Sequence, residues 1–378
     1  MKQEFCFSFY ENLASIHTIE YQWSGVRTTY EEMVSRIFAL QKKESFKAYS
    51  EKRCIVAYPR AGITLKLCDY AFPTVYVCIN PRILSGDDHS YLGIFDATSE
   101  HIAQMIEKAD ETLNACGIPC SLDQMELCRV DLCLTLVCNV PELIPILLSC
   151  VKKADWDENY KRIFFREERK NAKEANENSF RIASKHYCLT VYDKRFERQQ
   201  RDHLPPDCPD ALLRVEFSLQ SKAGIEYHTR TPGMAHDKAL FYLGQQSGRI
   251  LAQKLRDLLG TGVHVPYSLL EEMVDRQKDL KNKTRKRLKS LAMNFLLCEN
   301  GWKAGQMFCN ELPQNIDQDR CYRKLRGQLA QMGLNPVPVP ADVHLPVPSL
   351  AMIVENILES GRFSYQMDPD ALFVSRGV

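Results

Sequence analysis

The chain has 378 residues, 45% of them apolar, with 49 Lys and Arg against 48 Asp and Glu, a net charge of +1. That much apolar material excludes a disordered chain and can fill the cores of two or three domains. No apolar run reaches the roughly 18 to 20 residues that span a bilayer, and the start MKQEFCFSFYEN lacks a basic stretch followed by a long apolar one, so the expectation is a cytoplasmic protein with no membrane partner.

Fifteen cysteines include no C-x-x-C pair, which predicts reduced thiols used as small core residues rather than a zinc site. The overall charge offers no argument for nucleic acid, but its distribution is uneven: residues 276–289 carry eight Lys and Arg against the single acid Asp279.

In chain order, the first third alternates apolar and polar residues in EFCFSF, IHTIEYQW, CIVAYP, ITLKLCDY and VYVCIN, all read as strands. A helix is expected over 99–115, with Ser99 as its N-terminal cap, Ile102, Met105, Ile106, Ala109 and Leu113 on one face and Gly117 ending it. The apolar run LCRVDLCLTLVC, 127–138, reads as a strand, followed by a helix from Pro141 to about 153 and the polar stretch REERKNAKEANEN, an exposed connection or a solvated helix. Three more strands follow, SFRIAS, YCLTVYDK and ALLRVEFSL, the last two separated by the Pro-rich loop HLPPDCPD. A long helix over 235–259, with Leu240, Leu243, Leu251, Leu255 and Leu258 along one face, closes an α+β domain near 262.

Beyond it the alternation stops. Helices are expected through Leu288–Leu296 to a stop at Gly301, then over 303–311 and 317–332, a helix-turn-helix-like unit. The division is therefore 1–262 for a domain with a central, mainly antiparallel sheet flanked by helices, 263–335 for an all-helical DNA-binding domain, and 336–378 for a Pro-rich linker and tail, with a last short helix near 349–360.

The chemistry concentrates in three of the strands. In LCRVDLCLTL, Arg129 and Asp131 share one strand face, and in ALLRVEFSL, Arg214 and Glu216 do the same. A carboxylate inside an apolar strand is costly unless it is paired or binds a cation. An Arg-to-acid ladder on a solvated sheet face would explain either strand alone, but both strands with a tyrosine strand between them point to a site. Two carboxylates suit a hard divalent ion such as Mg²⁺ or Mn²⁺, and Tyr192, with Lys194 on its own face, is a candidate to attack phosphorus. Glu197 is a candidate third ligand or base, whereas Tyr187, an odd number of residues from Tyr192, faces the other way.

RVD at 129–131, YDKRFE at 192–197 and RVE at 214–216 reproduce in order the motifs R-[IVL]-D, Y-x-K-x-x-E and R-x-E, and here the chain resembles the gene II replication proteins of filamentous phages and the related rolling-circle initiators of small Gram-positive plasmids. YVCINPRILSG and DRCYRKLRGQLAQMGL extend the resemblance over about 50–335, and the first 50 residues add nothing to it. It implies a nicking and closing enzyme acting at the replication origin of a phage or plasmid, working with a host helicase and polymerase. Tyr192 would form the 5′-phosphotyrosine link, Asp131 and Glu216 would hold the metal, and Glu197 would stand near them. No two histidines are separated by a single residue, so the metal site is expected to be carboxylate-rich; Thr135 stands where some plasmid relatives carry a second acid. A conjugative relaxase of the same chemistry and a non-catalytic DNA-binding regulator are the alternatives.

DNA contacts are expected from Arg129 and Arg214 near the site, from Arg285, Lys286, Arg287 and Lys289 in the basic run, and from Arg320, Arg323 and Lys324 on the last helix of the helical unit.

Overall fold

The computed structural model describes residues 3–9, 14–40, 46–50, 52–86, 94–154, 159–166, 171–200 and 208–367. Much of the loop HLPPDCPD, the middle of the connection REERKNAKEANEN and the end of the tail lie outside them. The strands are β1 (Gln3–Phe9), β2 (Ser15–Ser24), β3 (Phe46–Ser50), β4 (Arg53–Tyr58), β5 (Ile63–Cys68), β6 (Thr74–Ile79), β7 (Glu126–Cys138), β8 (Lys161–Arg162), β9 (Ser179–Ala183), β10 (Tyr187–Asp193), β11 (Leu212–Leu219), β12 (Val263–His264), β13 (Val347–Pro348) and β14 (Arg362–Met367). The helices are α1 (Arg27–Leu40), α2 (Pro81–Leu84), α3 (Ser99–Ala115), α4 (Leu143–Lys152), α5 (Ala172–Glu177), α6 (Lys194–Gln199), α7 (Lys222–Thr229), α8 (His236–Leu259), α9 (Tyr267–Arg276), α10 (Asn282–Leu297), α11 (Gly301–Glu311), α12 (Gln318–Gln331) and α13 (Leu350–Ser360). None of the described helices is long and apolar enough to cross a membrane.

The architecture is α+β. One antiparallel sheet runs in the order β3-β4-β5-β6-β2-β7-β11-β10-β9-β8, with β1 added on β7 and β14 on β1. Period-two alternation divides it into two chemically different faces. Ile19, Leu65, Val77, Val130, Leu132, Leu134, Val215 and Leu189 are fully buried on one face, in a core shared with Leu240, Leu243, Leu251 and Leu255 of α8. Burying each such side chain contributes about 1.5 to 3 kcal/mol, and the long apolar stripe of α8 follows from that requirement. Tyr187 lies on this apolar side, stacked on Phe217 with ring centroids 5.4 Å apart.

The helical region beyond α8 has a core of its own, built from Leu270, Val274, Leu288, Leu291, Phe295, Phe308, Leu325 and Leu329. Gly301 begins α11 instead of ending the preceding helix, because the Asn300 side chain accepts a hydrogen bond from the Lys303 N–H at 2.9 Å and caps the new helix.

The segment after 335 carries the short helix expected near 349–360, as α13, but departs from the expected linker. Val339, Val343, Val347, Leu350, Ile353, Val354 and Ile357 are buried in the sheet core, α13 packs against α8, and β14 pairs with β1 over Gln3–Ser8. The alternating Val and Pro residues that suggested an extended linker are extended, but their valines are core residues. A second correction is α1, where the sequence suggested only strands and connections; Tyr30, Met33 and Ile37 are its buried stripe. The N-terminal cap of α3 lies one residue earlier than expected, on Thr98 instead of Ser99.

Candidate active site on the polar face of the sheet

Register fixes the site before any side chain is considered. Tyr192 pairs with Arg214 and Thr190 with Glu216 between β10 and β11; Glu216 pairs with Cys133 and Ser218 with Asp131 between β11 and β7. Paired residues of antiparallel strands point to the same side. Tyr192, Arg214, Glu216 and Asp131 therefore share the face opposite the apolar core, and the two carboxylates lie diagonally across adjacent strands.

The Tyr192 hydroxyl donates to Glu216 Oε1 at 2.7 Å. Burial, then the Glu216 charge beside it, raises the phenol well above its ordinary value of 10.0, so the group is a neutral donor that needs a base before it can attack anything. Glu216 is the acceptor of that hydroxyl's hydrogen bond. The Glu197 carboxylate, the candidate third ligand or base, accepts from Lys194 Nζ at 2.8 Å and lies 3.7 Å from Arg198 Nε.

Lys194 is not on the strand. Asp193 ends β10 and caps α6 by accepting from the Phe196 N–H at 2.9 Å, so Lys194 is the first residue of that helix. The turn still brings its ammonium to 5.6 Å from the centre of the Tyr192 ring. Burial and the nearby Arg214 lower its pKa to about 8, while Glu197 acts in the opposite direction.

Arg214 and Arg129 hold the site together instead of extending toward solvent. Arg214 is 1% exposed and donates from Nε to Thr135 Oγ1 at 2.9 Å, so its expected role in touching DNA is not available to it as placed. Thr135, noted in the sequence for lacking a carboxylate, is thus the acceptor that fixes this guanidinium. Arg129 donates from Nε and Nη2 to the two oxygens of Asp131 at 2.7 and 2.6 Å, a two-pronged pairing that neutralises a carboxylate buried to 2% exposure.

His17 is the residue the sequence did not single out. Pairing between β2 and β7 jumps from Ile16/Leu132 to Thr18/Asp131, so His17 is the extra residue of a β-bulge. A bulge re-aims side chains that regular alternation would send elsewhere. Here it turns Thr18 into the pairing with Asp131, and His17 Nδ1 lies 3.9 Å from Glu216 Oε1 and 3.0 Å from Thr18 Oγ1. Burial first, then Arg214 and Lys194, lowers the imidazole to about 3, leaving a neutral ring with a lone pair. Nothing in the spacing of the first 24 residues signals this; only the register does.

Among the described residues, no three His, Cys, Asp or Glu side chains are arranged to hold a metal ion. The donor types nonetheless suit a hard divalent cation: two carboxylates, Asp131 and Glu216, and the neutral imidazole of His17. The structure adds a condition, since Asp131 would have to give up part of its pairing with Arg129 to become a ligand.

In the helical region part of the basic run is engaged. Lys289 donates to Asp275 at 2.6 Å, Arg285 to the Gln277 carbonyl at 2.7 Å, and Arg287 lies 3.7 Å from Cys321 Sγ, tying α10 to α12. Lys286 is exposed, as are Arg320, Arg323 and Lys324 on α12, opposite the buried Leu325 and Leu329. No family model matches the chain, and no curated protein matches it.

Proposed function

We propose that the chain is a DNA-nicking enzyme that starts rolling-circle replication, with Tyr192 as the nucleophile. The observation that carries this reading is the 2.7 Å hydrogen bond from the Tyr192 hydroxyl to Glu216, on the same sheet face as Asp131. The ordered motifs RVD, YDKRFE and RVE support it independently.

In the proposed step the Tyr192 proton passes to Glu216 as the phenolic oxygen attacks the scissile phosphorus. A P–Oη bond forms, the bond from phosphorus to the 3′ oxygen breaks, and that oxygen leaves as a 3′-hydroxyl after taking a proton from solvent. The 5′ phosphate remains on Tyr192, and a later 3′-hydroxyl can reverse the exchange to reseal the strand. Lys194, beside the Tyr192 ring, offsets charge on the phosphoryl oxygens, and Arg214 ties β11 to β7 through Thr135. A Mg²⁺ or Mn²⁺ ion on Asp131, Glu216 and His17 would supply Lewis-acid polarisation of the phosphodiester. Exposed Arg320, Arg323 and Lys324 on α12 would meet origin duplex.

The test is incubation with supercoiled DNA carrying the protein's own replicon, with Mn²⁺ or with EDTA, followed by denaturing electrophoresis for a covalent protein-DNA adduct. An adduct in wild type that disappears in Tyr192→Phe is the expected result. Adduct formation by Tyr192→Phe would overturn the assignment, and equal yield in EDTA would remove the metal from it.

A further inference from the structure

The polar face does not end at the site. From Arg129, register carries it across β2 (Arg129↔Glu20), β6 (Glu20↔Cys78), β5 (Tyr76↔Lys66) and β4 (Lys66↔Ile55, with Arg53 two residues away). Pairing keeps all of these on the side of Tyr192. Glu20, Arg53, Lys66, Cys68, Tyr70 and Tyr76 line a cleft of about 350 Å³ there. Lys66 forms an ion pair with Glu20 and lies 6.0 Å from the centre of the Tyr76 ring. Arg53 is exposed, Tyr70 is 51% exposed, and Phe72 at the turn between β5 and β6 is 83% exposed.

We infer that this cleft is a docking track for single-stranded DNA leading to or from Tyr192, with phosphates on Lys66 and Arg53 and a base against Tyr76. The inference rests on the nickase reading and names where its strand lies. Charge complementarity favours a polyanion: Lys66 keeps two of its three donors beyond the Glu20 pair, and Arg53 adds five. Aromatic rings beside those cations fit unpaired bases, which stack on any π face, and do not fit a closed duplex. The span suits it as well. β10 and β5 are five strand spacings apart in the sheet, about 24 Å, or roughly seven nucleotides at the rise of a stacked strand.

The test measures binding of a fluorescein-labelled dT20 oligonucleotide by anisotropy over a series of salt concentrations, using the full chain. Each phosphate contact on a single strand contributes about 0.7 to the slope of log K against log salt. Arg53→Ala with Lys66→Ala is expected to lower the slope by about 1.4, and Tyr76→Leu to weaken binding at least fivefold with the slope unchanged. Glu20→Gln, which frees Lys66 without removing it, should tighten binding and guards against an effect of misfolding. Unchanged dT20 binding in the double variant overturns the track while leaving the nickase reading in place. A polyglutamate peptide that displaces dT20 as well as unlabelled dT20 does would overturn it too, by marking a general anion surface. Absence of any salt-dependent dT20 binding by wild type would instead count against the nickase reading itself.

Discussion

Replacing Glu216 by Gln separates its role as a base from its role as a mere acceptor. The amide keeps the shape and an oxygen that can still accept the Tyr192 hydroxyl now bonded at 2.7 Å, but it cannot take the proton. Since burial and the Glu216 charge hold the phenol well above 10.0, under about 1% of it is ionised at pH 8. Loss of a positioned base typically costs 10²- to 10⁴-fold, or about 2.7 to 5.5 kcal/mol of barrier. The assay is single-turnover formation of the covalent adduct on replicon DNA. Wild type is expected to be flat below about pH 7 and to lose rate above about pH 8 as Lys194 gives up its charge, whereas Glu216→Gln should be at least a hundredfold slower at pH 7 and gain about tenfold per pH unit below pH 8 as hydroxide substitutes for the base. A Glu216→Gln rate within threefold of wild type, with the same pH dependence, would refute the reasoning.

Other expected outcomes follow from the same geometry. Asp131→Asn breaks the charged pairing with Arg129 and should cost about 1.5 to 3 kcal/mol in urea unfolding, toward the lower end because Arg129 is 28% exposed and can regain water. His264, buried where β12 meets β13 and bonded through Nδ1 to the Val337 carbonyl at 2.8 Å, has its pKa lowered by burial to about 4. Its folded pKa is below the unfolded value of 6.5, so its contribution is complete above pH 6.5 and is lost as pH falls toward 4; the loss is about 3 kcal/mol, and His264→Gln should flatten that part of the melting-temperature profile. Substituting Arg320, Arg323 or Lys324 with Ala should lower the salt slope for duplex binding by about 0.9 each, and slopes equal to wild type would remove α12 from the DNA interface.

The sheet was readable because alternation is a local signal. ITLKLC, LCRVDLCLTLVC and LLRVEFSL each declare two faces, and a shared face for Arg129 with Asp131 or Arg214 with Glu216 requires only a period of two. Helix α1 was equally legible, since Tyr30, Met33 and Ile37 recur at helical spacing, yet the strand-rich context around it concealed the pattern. The helix near 349–360 was legible as α13, whereas the Pro-rich segment before it differs from a linker for a physical reason: Pro and Val in NPVPVP specify extended backbone, and extended backbone serves as linker or as core depending on what lies beside it. Here the sheet core lies beside it, and Val339 is buried.

His17 shows where sequence reasoning runs out. A strict strand would place His17 opposite Asp131 and Thr18 opposite Val130; the bulge moves Thr18 into the pairing with Asp131, Ile19 pairs with Val130, and both polar residues stand at the site. No residue in SIHTIEYQWS announces a bulge, because it arises from a mismatch between two strands more than one hundred residues apart in sequence. Its effect is nonetheless chemical. The bulge adds Thr18 to the polar face beside His17, whose neutral imidazole, 3.9 Å from Glu216, is a nitrogen donor on a face whose other potential ligands are carboxylates already held by Tyr192 and Arg129. An ion recruited there would have to leave Glu216 Oε1 to the Tyr192 hydroxyl for that carboxylate to remain its proton acceptor, so the hydrogen bonds it would compete with are those of Arg129 to Asp131.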